Sequence, residues 1–359
     1  MHILITGATD FLGRNLRTHL ENRTPSAGDR IIPISPADDP DQLAEAIDKA
    51  DFVFHLMDAQ QAAAHPSFLP DLLKGLAAAK KPPVLTAGAT AEADESLRTY
   101  HQRTGAPVYS YHLAQVFGKW ARPNQSSIVA TLCTRLTRGL PLPVEFPEET
   151  VMLVYVDDVV DAFCRRMEEP SSGIHPACTV EPVYTIPVSE LAQRLSSYGD
   201  MRNRLDVPDQ SDPLTHKLYA TYLSYLPPED FSRTPVVHPD ERGSFTELLH
   251  MDGYGQLSLN VSKPGIVKGE HWHRTKHEKF IVIQGEGMIR LRKLGDNTVI
   301  SYRVSGETRT VVDIPPGYAH NIENLGHTDL YTLMWINERF DPSCTDAYPM
   351  PVVNPDANN

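Results

Sequence analysis

Three histidines and one glutamate in the last third of the chain are the residue types that hold a metal ion. His271 and His273 flank Trp272, Glu278 follows after four further residues, and His320 comes later in the stretch DIPPGYAHNIEN. Side chains at i and i+2 of an extended segment point the same way, so His271 and His273 are predicted on one face of a strand. Two imidazoles on one face can hold one ion. Glu278 is predicted on the neighbouring strand after a short turn, just before the apolar run Phe280-Ile281-Val282-Ile283, which reads as a core strand. The chain has fifteen histidines, so a lone H-x-H would mean little. The site is suggested instead by three His and one Glu interleaved with Gly265, Gly285 and Gly317 at predicted turns. Imidazole and carboxylate together suit Zn, Fe, Mn, Ni or Cu, and the ligand chemistry does not choose among them.

A chain of 359 residues suggests two domains, each able to bury its own core. Hydrophobic content of 41% and charged content of 22% are those of a soluble globular protein. A formal net charge of -13 argues against non-specific nucleic-acid binding and against an anionic membrane surface. Cys133, Cys164, Cys178 and Cys344 are scattered without C-x-x-C pairing, so neither a disulfide framework nor a zinc knuckle is expected. No signal-peptide pattern or long apolar run is present, and the expected address is the cytoplasm.

The opening MHILITGATDFLGRNLRTHL reads as an apolar strand, a glycine turn and an amphipathic helix, the start of a Rossmann-type unit whose helix N-terminus can face a pyrophosphate. DFVFHLMD, PPVLTAG and APVYSYHL are further strand candidates, with helical patterns such as DLLKGLAAAKKP between them. That alternation implies a parallel sheet with helices on both faces. PVSELAQRLSSY reads as a helix and KLYATYLSYLPPEDFSR as a helix or apolar linker that Pro227-Pro228 terminates. The boundary is placed near residue 235, giving a Rossmann-like domain over 1–235, a β domain over 236–345 and a loose tail over 346–359. In the β domain, MIRLRKLGDNTVISYRVSG reads as a hairpin and LYTLMWINERF as the strand that closes a barrel.

The spacing G-x5-H-x-H-x4-E-x6-G, followed by P-x-G-x2-H-x3-N, resembles the two motifs of the cupin superfamily. That resemblance implies a jelly-roll β-barrel with a metal in its mouth, so the expected fold is α/β plus all-β: a doubly wound Rossmann-like sheet followed by a cupin. TGATDFLG and YVDDVVDAF resemble segments of the extended short-chain dehydrogenases, with Gly7 and Gly13 in the dinucleotide-binding positions. Asp10 replaces that family's middle glycine, adding bulk and negative charge where phosphate would lie. The family's catalytic Tyr-x-x-x-Lys pair is missing, since no tyrosine in the chain has a lysine four residues later. His55-Leu56-Met57-Asp58 likewise stands where the family has a small-residue turn. NAD(P)H binding and hydride transfer are therefore not expected.

Along its whole length the chain resembles the bifunctional capsular-polysaccharide enzymes of the UDP-N-acetyl-L-fucosamine precursor pathway. In that family a zinc-carrying cupin epimerises C3 of a UDP-linked 4-keto-6-deoxy amino sugar, and the dehydrogenase domain then reduces C4. The resemblance implies a nucleotide-sugar substrate, zinc as the leading metal, and a role for Arg242 of DERGSFTELL on phosphate, where a guanidinium fork suits the oxygens. Lys276 is a second substrate-binding candidate. Epimerisation beside a ketone needs a base and an acid. Lys268, Lys276, Tyr318 and His277 are candidates, and so is His271 if any metal is structural. A homodimer is expected by analogy with cupins that exchange strands. Two other readings are carried forward: a cupin metalloenzyme of oxygen or rearrangement chemistry, and a non-catalytic sugar-nucleotide binder.

Overall fold

The computed structural model describes residues 1–23, 29–87, 91–125, 127–142, 149–341, 343 and 345–353. Cys344, Gly88 of the TAG turn and the end of the tail from 354 lie outside the described residues. The chain divides into two compact units, Met1–Ser196 with Lys217–Leu226, and Ser197–His216 with Pro227–Asn359. A single boundary near residue 235 does not describe this division. Ser197–His216 joins the second unit, within which its short strand pairs with a strand of the β domain.

The first unit contains β1 (His2–Thr6), β2 (Arg30–Ile34), β3 (Phe52–His55), β4 (Val84–Ala87), β5 (Val108–Tyr111), β6 (Gln115–Phe117), β7 (Thr150–Tyr155), β8 (Ile174–Cys178) and β9 (Tyr184–Pro187). Six of them form a parallel sheet in the order β2-β1-β3-β4-β5-β8, and β6, β7 and β9 form a small separate sheet. The alternation along β1 explains the two-sided packing. Ile3 and Ile5 face one apolar cluster with Leu16 and Leu20 of α1 (Phe11–Asn22), while Leu4 faces another with Ile47 of α2 (Pro40–Lys49). Helices on both faces of a parallel sheet make the doubly wound arrangement. Because the chain crosses from β2 on one side of β1 to β3 on the other, a crevice opens at the carboxyl ends of β1 and β3.

The second unit adds β10 (Asp206–Val207), β11 (Val237–Asp240), β12 (Gly243–Met251), β13 (Gly255–Ser262), β14 (Val267–Trp272), β15 (Glu278–Gln284), β16 (Glu286–Lys293), β17 (Val299–Ser305), β18 (Val311–Ile314), β19 (Tyr318–Asn324), β20 (Leu330–Ile336) and β21 (Tyr348–Pro349). One sheet runs β10-β12-β13-β20-β15-β18 with β11 beside β12, and the other runs β17-β16-β19-β14-β21. Phe280 and Val282 of the first sheet and Ile289, Leu291 and Ile322 of the second belong to one buried core. Two mainly antiparallel sheets sharing that core form the cupin jelly roll.

Three expectations change here. Glu278 is on the next strand in sequence but not the neighbouring strand in space: β14 and β15 belong to different sheets, so Glu278 comes from the sheet facing His271. β20 does not close an edge. It lies between β13 and β15, where its apolar side chains are needed. Over its described residues the tail is docked, with β21 pairing β14 and Val352 fully buried. Among the described residues no helix is long and apolar enough to cross a membrane.

Candidate metal centre

β14 brings His271 opposite His320 of β19. The pairing is irregular between Gly269 and His271, and Glu270 in between has a φ of +60°. Such a bulge re-aims the side chain that follows it. Gly269 is required beside it: its φ is +102°, and a Cβ there would lie 2.8 Å from the His320 carbonyl oxygen. Glu270 fixes the bulge, accepting from Asn321 Nδ2 at 2.6 Å and from the Val352 backbone N–H at 2.6 Å. The loop after β14 carries His273 at its start and delivers Glu278 at the first position of β15.

The structure brings His271, His273, Glu278 and His320 together, with one donor atom from each lying within 4.8 Å of the others. His273 is 4%, Glu278 6% and His320 1% exposed, and His271 is half-buried. The Nε2 atoms of His273 and His320 approach Glu278 Oε2 at 3.4 and 3.1 Å. Neither contact has hydrogen-bond geometry, so these three atoms and His320 Nδ1 are buried without a hydrogen-bond partner. Orphaned buried donors and acceptors are expensive. Converging on one point, they make the set that a divalent cation would satisfy, and three imidazoles with one carboxylate suit it chemically. Burial, reinforced by the His320 ring, holds His271 down at about 4, so at neutral pH the ring is neutral and one of its two nitrogens offers a lone pair. Burial would raise Glu278, but the imidazoles of His273 and His320 outweigh it and hold the carboxyl at about 2.

The other sequence-predicted residues are placed as follows. Lys268 is part-buried on β14 and donates to Asn260 Oδ1 and the Val261 carbonyl, both at 2.9 Å; burial lowers its pKa. Tyr318 lies two residues before His320 on β19, half-buried against the shared core. Lys276 is buried and donates to the Thr345 carbonyl at 3.1 Å. Arg242 is exposed and pairs with Asp240 at 2.9 Å, and that guanidinium holds Asp240 below the usual carboxylate range. His277 is exposed and packs edge-on against Trp335. Asn260 and Asp346 bond members of this set, Glu270 holds the bulge that precedes His271, and none of the three stands out in the sequence. Their roles depend on a bulge, a cross-strand neighbour and a chain end, none of which leaves a short motif.

In the first unit Gly7 and Gly13 form the expected tight turn. A Cβ on Gly13 would come within 2.0 Å of the Gly7 carbonyl oxygen. Asp10, 2% exposed, does not cap α1 with its side chain; it accepts from the Asp58 backbone N–H at 3.2 Å and from Gln61 Nε2 at 3.0 Å. Burial raises its pKa. A cavity of about 590 Å³ opens beside it, with Asp10, His55, Asp58, Thr86 and Glu92 among its lining residues. Thr86 Oγ1 is buried there without a hydrogen-bond partner.

His55 forms part of that wall and is bonded to Thr6 Oγ1 at 2.8 Å; burial holds it down at about 4. An unfolded histidine titrates near 6.5, so between these values the unfolded chain takes up a proton that the folded chain refuses. This contribution is complete above about pH 6.5 and is lost as the pH falls toward about 4. The urea midpoint of the full chain should therefore drop between pH 7 and about pH 4.5, and His55→Gln should make the drop smaller. An unchanged drop in the variant would remove His55 from this account.

A Rossmann-like unit followed by a cupin defines the class, and comparison with known proteins narrows it. Residues 238–348 match the family model described as polysaccharide biosynthesis C-terminal domain. The chain is 35% identical to a UDP-2-acetamido-2,6-β-L-arabino-hexul-4-ose reductase of Pseudomonas aeruginosa, covering 97% of this chain and 98% of that one. The crystal structure of the capsular polysaccharide assembling protein CapF of Staphylococcus aureus superposes with a TM-score of 0.88 at 40% identity, over 98% of this chain and 100% of that one. A CapF structure with the inhibitor 3-isopropenyl-tropolone gives a TM-score of 0.86 at 40% identity over the same shares. The chain belongs to this family of capsular polysaccharide biosynthesis proteins.

Proposed function

We propose that this chain is a sugar-nucleotide epimerase whose cupin unit inverts C3 of a UDP-linked 4-keto-6-deoxy amino sugar. The observation that carries the reading is the convergence of His271, His273, Glu278 and His320 with their buried atoms unpartnered. The Pseudomonas relative's name specifies a UDP-linked hexul-4-ose, a sugar with a ketone at C4. That ketone acidifies the protons on both of its neighbouring carbons, C3 and C5, and C3 is assigned as the reacting position on the resemblance to the capsular-polysaccharide enzymes.

Bound by these four side chains, a divalent cation would supply a Lewis acid for the carbonyl oxygen as it takes on enolate charge. The chain's own residues must remove the C3 proton and return one to the opposite face. Lys268 is suited to be the base, because burial lowers its pKa toward the range in which an amine accepts a proton. Asn260 Oδ1 and the Val261 carbonyl hold its Nζ in place. Tyr318, on the same side of β19 as His320 by strand alternation, is suited to return the proton. Lys268→Ala should slow C3 exchange by ~100-fold or more while leaving bound metal unchanged. Exchange at the unsubstituted rate would exclude Lys268 as the base.

Tropolones carry adjacent oxygen donors that chelate metal ions, so the CapF inhibitor complex supports a metal reading by analogy. Chelator treatment of the purified chain should abolish epimerisation, and added zinc should restore it. Full activity in excess chelator would overturn metal dependence.

The first unit is read as having lost hydride transfer. Its residues fit a dinucleotide diphosphate poorly, because Asp10, Asp58 and Glu92 place acidic side chains in the cavity wall. The proton-donating Tyr-x-x-x-Lys pair is missing from the sequence.

A further inference from the structure

The chain's last described residues, 345–353, run against β14, the strand that carries His271 and leads into His273. β21 pairs with β14 through Pro349 opposite His271 and Tyr348 opposite Trp272, and the Tyr348 and Trp272 rings stack at 4.8 Å. The Met350 N–H donates to the Glu270 carbonyl at 2.8 Å, and the Val352 N–H donates to the Glu270 carboxylate. Arg292, 9% exposed, donates to the Val352 carbonyl at 2.7 Å and to the Pro351 carbonyl at 2.8 Å.

Asp346 makes two sets of bonds at the head of this segment. Its carboxylate accepts from three consecutive backbone N–H groups, Arg274 at 3.1 Å and Thr275 and Lys276 at 3.0 Å, and from Thr275 Oγ1 at 3.0 Å. Those residues form the loop from His273 to Glu278, so one carboxylate fixes the spacing between a ligand in the loop and a ligand at the start of β15. Its main-chain carbonyl accepts from His273 Nδ1 at 2.5 Å. A histidine that donates its Nδ1–H is held as the tautomer whose Nε2 has a free lone pair, and the ring is held in one orientation. His273 Nε2 is one of the atoms directed at Glu278. Asp346 itself has a φ of +43°, a left-handed conformation that aspartate tolerates and that the surrounding bonds hold.

We propose that the segment 345–353 is a clasp for the metal centre, with Asp346 the positioning residue that sets the His273 tautomer and the His273–Glu278 loop. This rests on the reading of the four ligands as a metal site. The Gly317 N–H donates to the His273 carbonyl at 2.8 Å and the His277 N–H to Asn337 Oδ1 at 3.0 Å, and the clasp adds the contacts that fix the 274–276 backbone and the His273 ring before any ion arrives.

The test uses the full chain, stripped of metal and titrated with Co(II), whose visible bands report coordination. The unsubstituted chain, Asp346→Ala, Asp346→Asn and His320→Ala are compared. Asp346→Ala should weaken Co(II) binding by roughly 10- to 100-fold and shift the visible bands, as outer-shell partners of metal-binding histidines do. Asp346→Asn, which keeps an acceptor oxygen for the loop, should recover part of both. Unsubstituted affinity and bands in Asp346→Ala, with binding lost in His320→Ala, would overturn the clasp and leave the metal site standing. No Co(II) binding by the unsubstituted chain would overturn both. If Asp346→Ala does not fold, the Asp346→Asn spectrum decides: bands and affinity identical to the unsubstituted chain contradict the proposal.

Discussion

Replacing His320 with alanine, or Glu278 with glutamine, should strip the metal and cut C3 proton exchange on the 4-keto sugar by about a thousandfold or more. Lewis-acid stabilisation of a developing enolate amounts to several kcal/mol, and each ~1.4 kcal/mol is a factor of ten in rate. The two substitutions differ in what they leave behind. His320 is 1% exposed and its ring packs edge-on against Phe280, so His320→Ala also opens a small cavity and should cost stability in the cupin unit. Glu278→Gln is nearly isosteric and removes a buried negative charge that only imidazoles and a cation can balance. It should leave the metal-free fold intact but less stable near neutral pH, because the imidazoles of His273 and His320 hold the Glu278 carboxyl at about 2 and the folded chain loses that stabilisation with the charge. Metal content by elemental analysis beside the exchange rate separates the two effects. Full exchange in a metal-free Glu278→Gln chain would contradict the assignment.

The second large effect is in the first unit. NADPH offered to the purified chain with the keto sugar should not be oxidised, because loss of a positioned proton donor alone costs about 100- to 10,000-fold. Binding itself should also be weak. The Asp10 carboxylate is 2% exposed beside the turn that holds Gly7 and Gly13, and a phosphate a few ångströms away would meet like charge in a partly buried place. Two unit charges at about 4 Å repel by ~1 kcal/mol in water and ~4 kcal/mol near a protein surface. Asp10→Gly should therefore tighten NADPH binding by roughly tenfold or more without restoring turnover. Calorimetry on both chains checks this. Micromolar NADPH binding by the unsubstituted chain would overturn the weak-binding claim, and loss of NADPH absorbance with the keto sugar would show that the unit still acts as a reductase.

The parts of this protein that were legible in sequence are those set by local period and motif spacing. The strand-turn-helix of residues 1–22 and the apolar strands of the parallel sheet announce themselves through periodicity and glycines. His271, His273 and Glu278 sit at spacings fixed by two strands and a turn, His320 sits in a second motif on β19, and the structure does bring the four together. What was not legible depends on partners far away in sequence. The bulge at Glu270 has no local signature, since a glutamate at positive φ is held there by Asn321 and Val352. Sheet membership is invisible to a period-two pattern, so Glu278 was read as a neighbour of β14 rather than as part of the facing sheet. The segment from 346 was read as loose because Pro and Asn dominate it. Its order comes from backbone groups that meet β14, the 274–276 loop and Arg292, which composition cannot show.

Arg242 and Lys276 illustrate the same limit at the level of single side chains. Arg242 is a substrate candidate on a resemblance, and Lys276 is a candidate by its place near the ligands in sequence. In the structure Arg242 is exposed and paired with Asp240, and Lys276 is buried against the Thr345 carbonyl. Charge at a motif position tells which group is available, and the fold decides what that group faces.

The measurement that bears most directly on the central claim is deuterium incorporation at C3. The metal-loaded chain is incubated in heavy water with a UDP-linked 4-keto-6-deoxy amino sugar and no nicotinamide cofactor, and the sugar is read by NMR. The account predicts one deuterium at C3, appearing with the inverted sugar and absent when His320→Ala replaces the unsubstituted chain. Metal-loaded chain that leaves the C3 proton in place would contradict it.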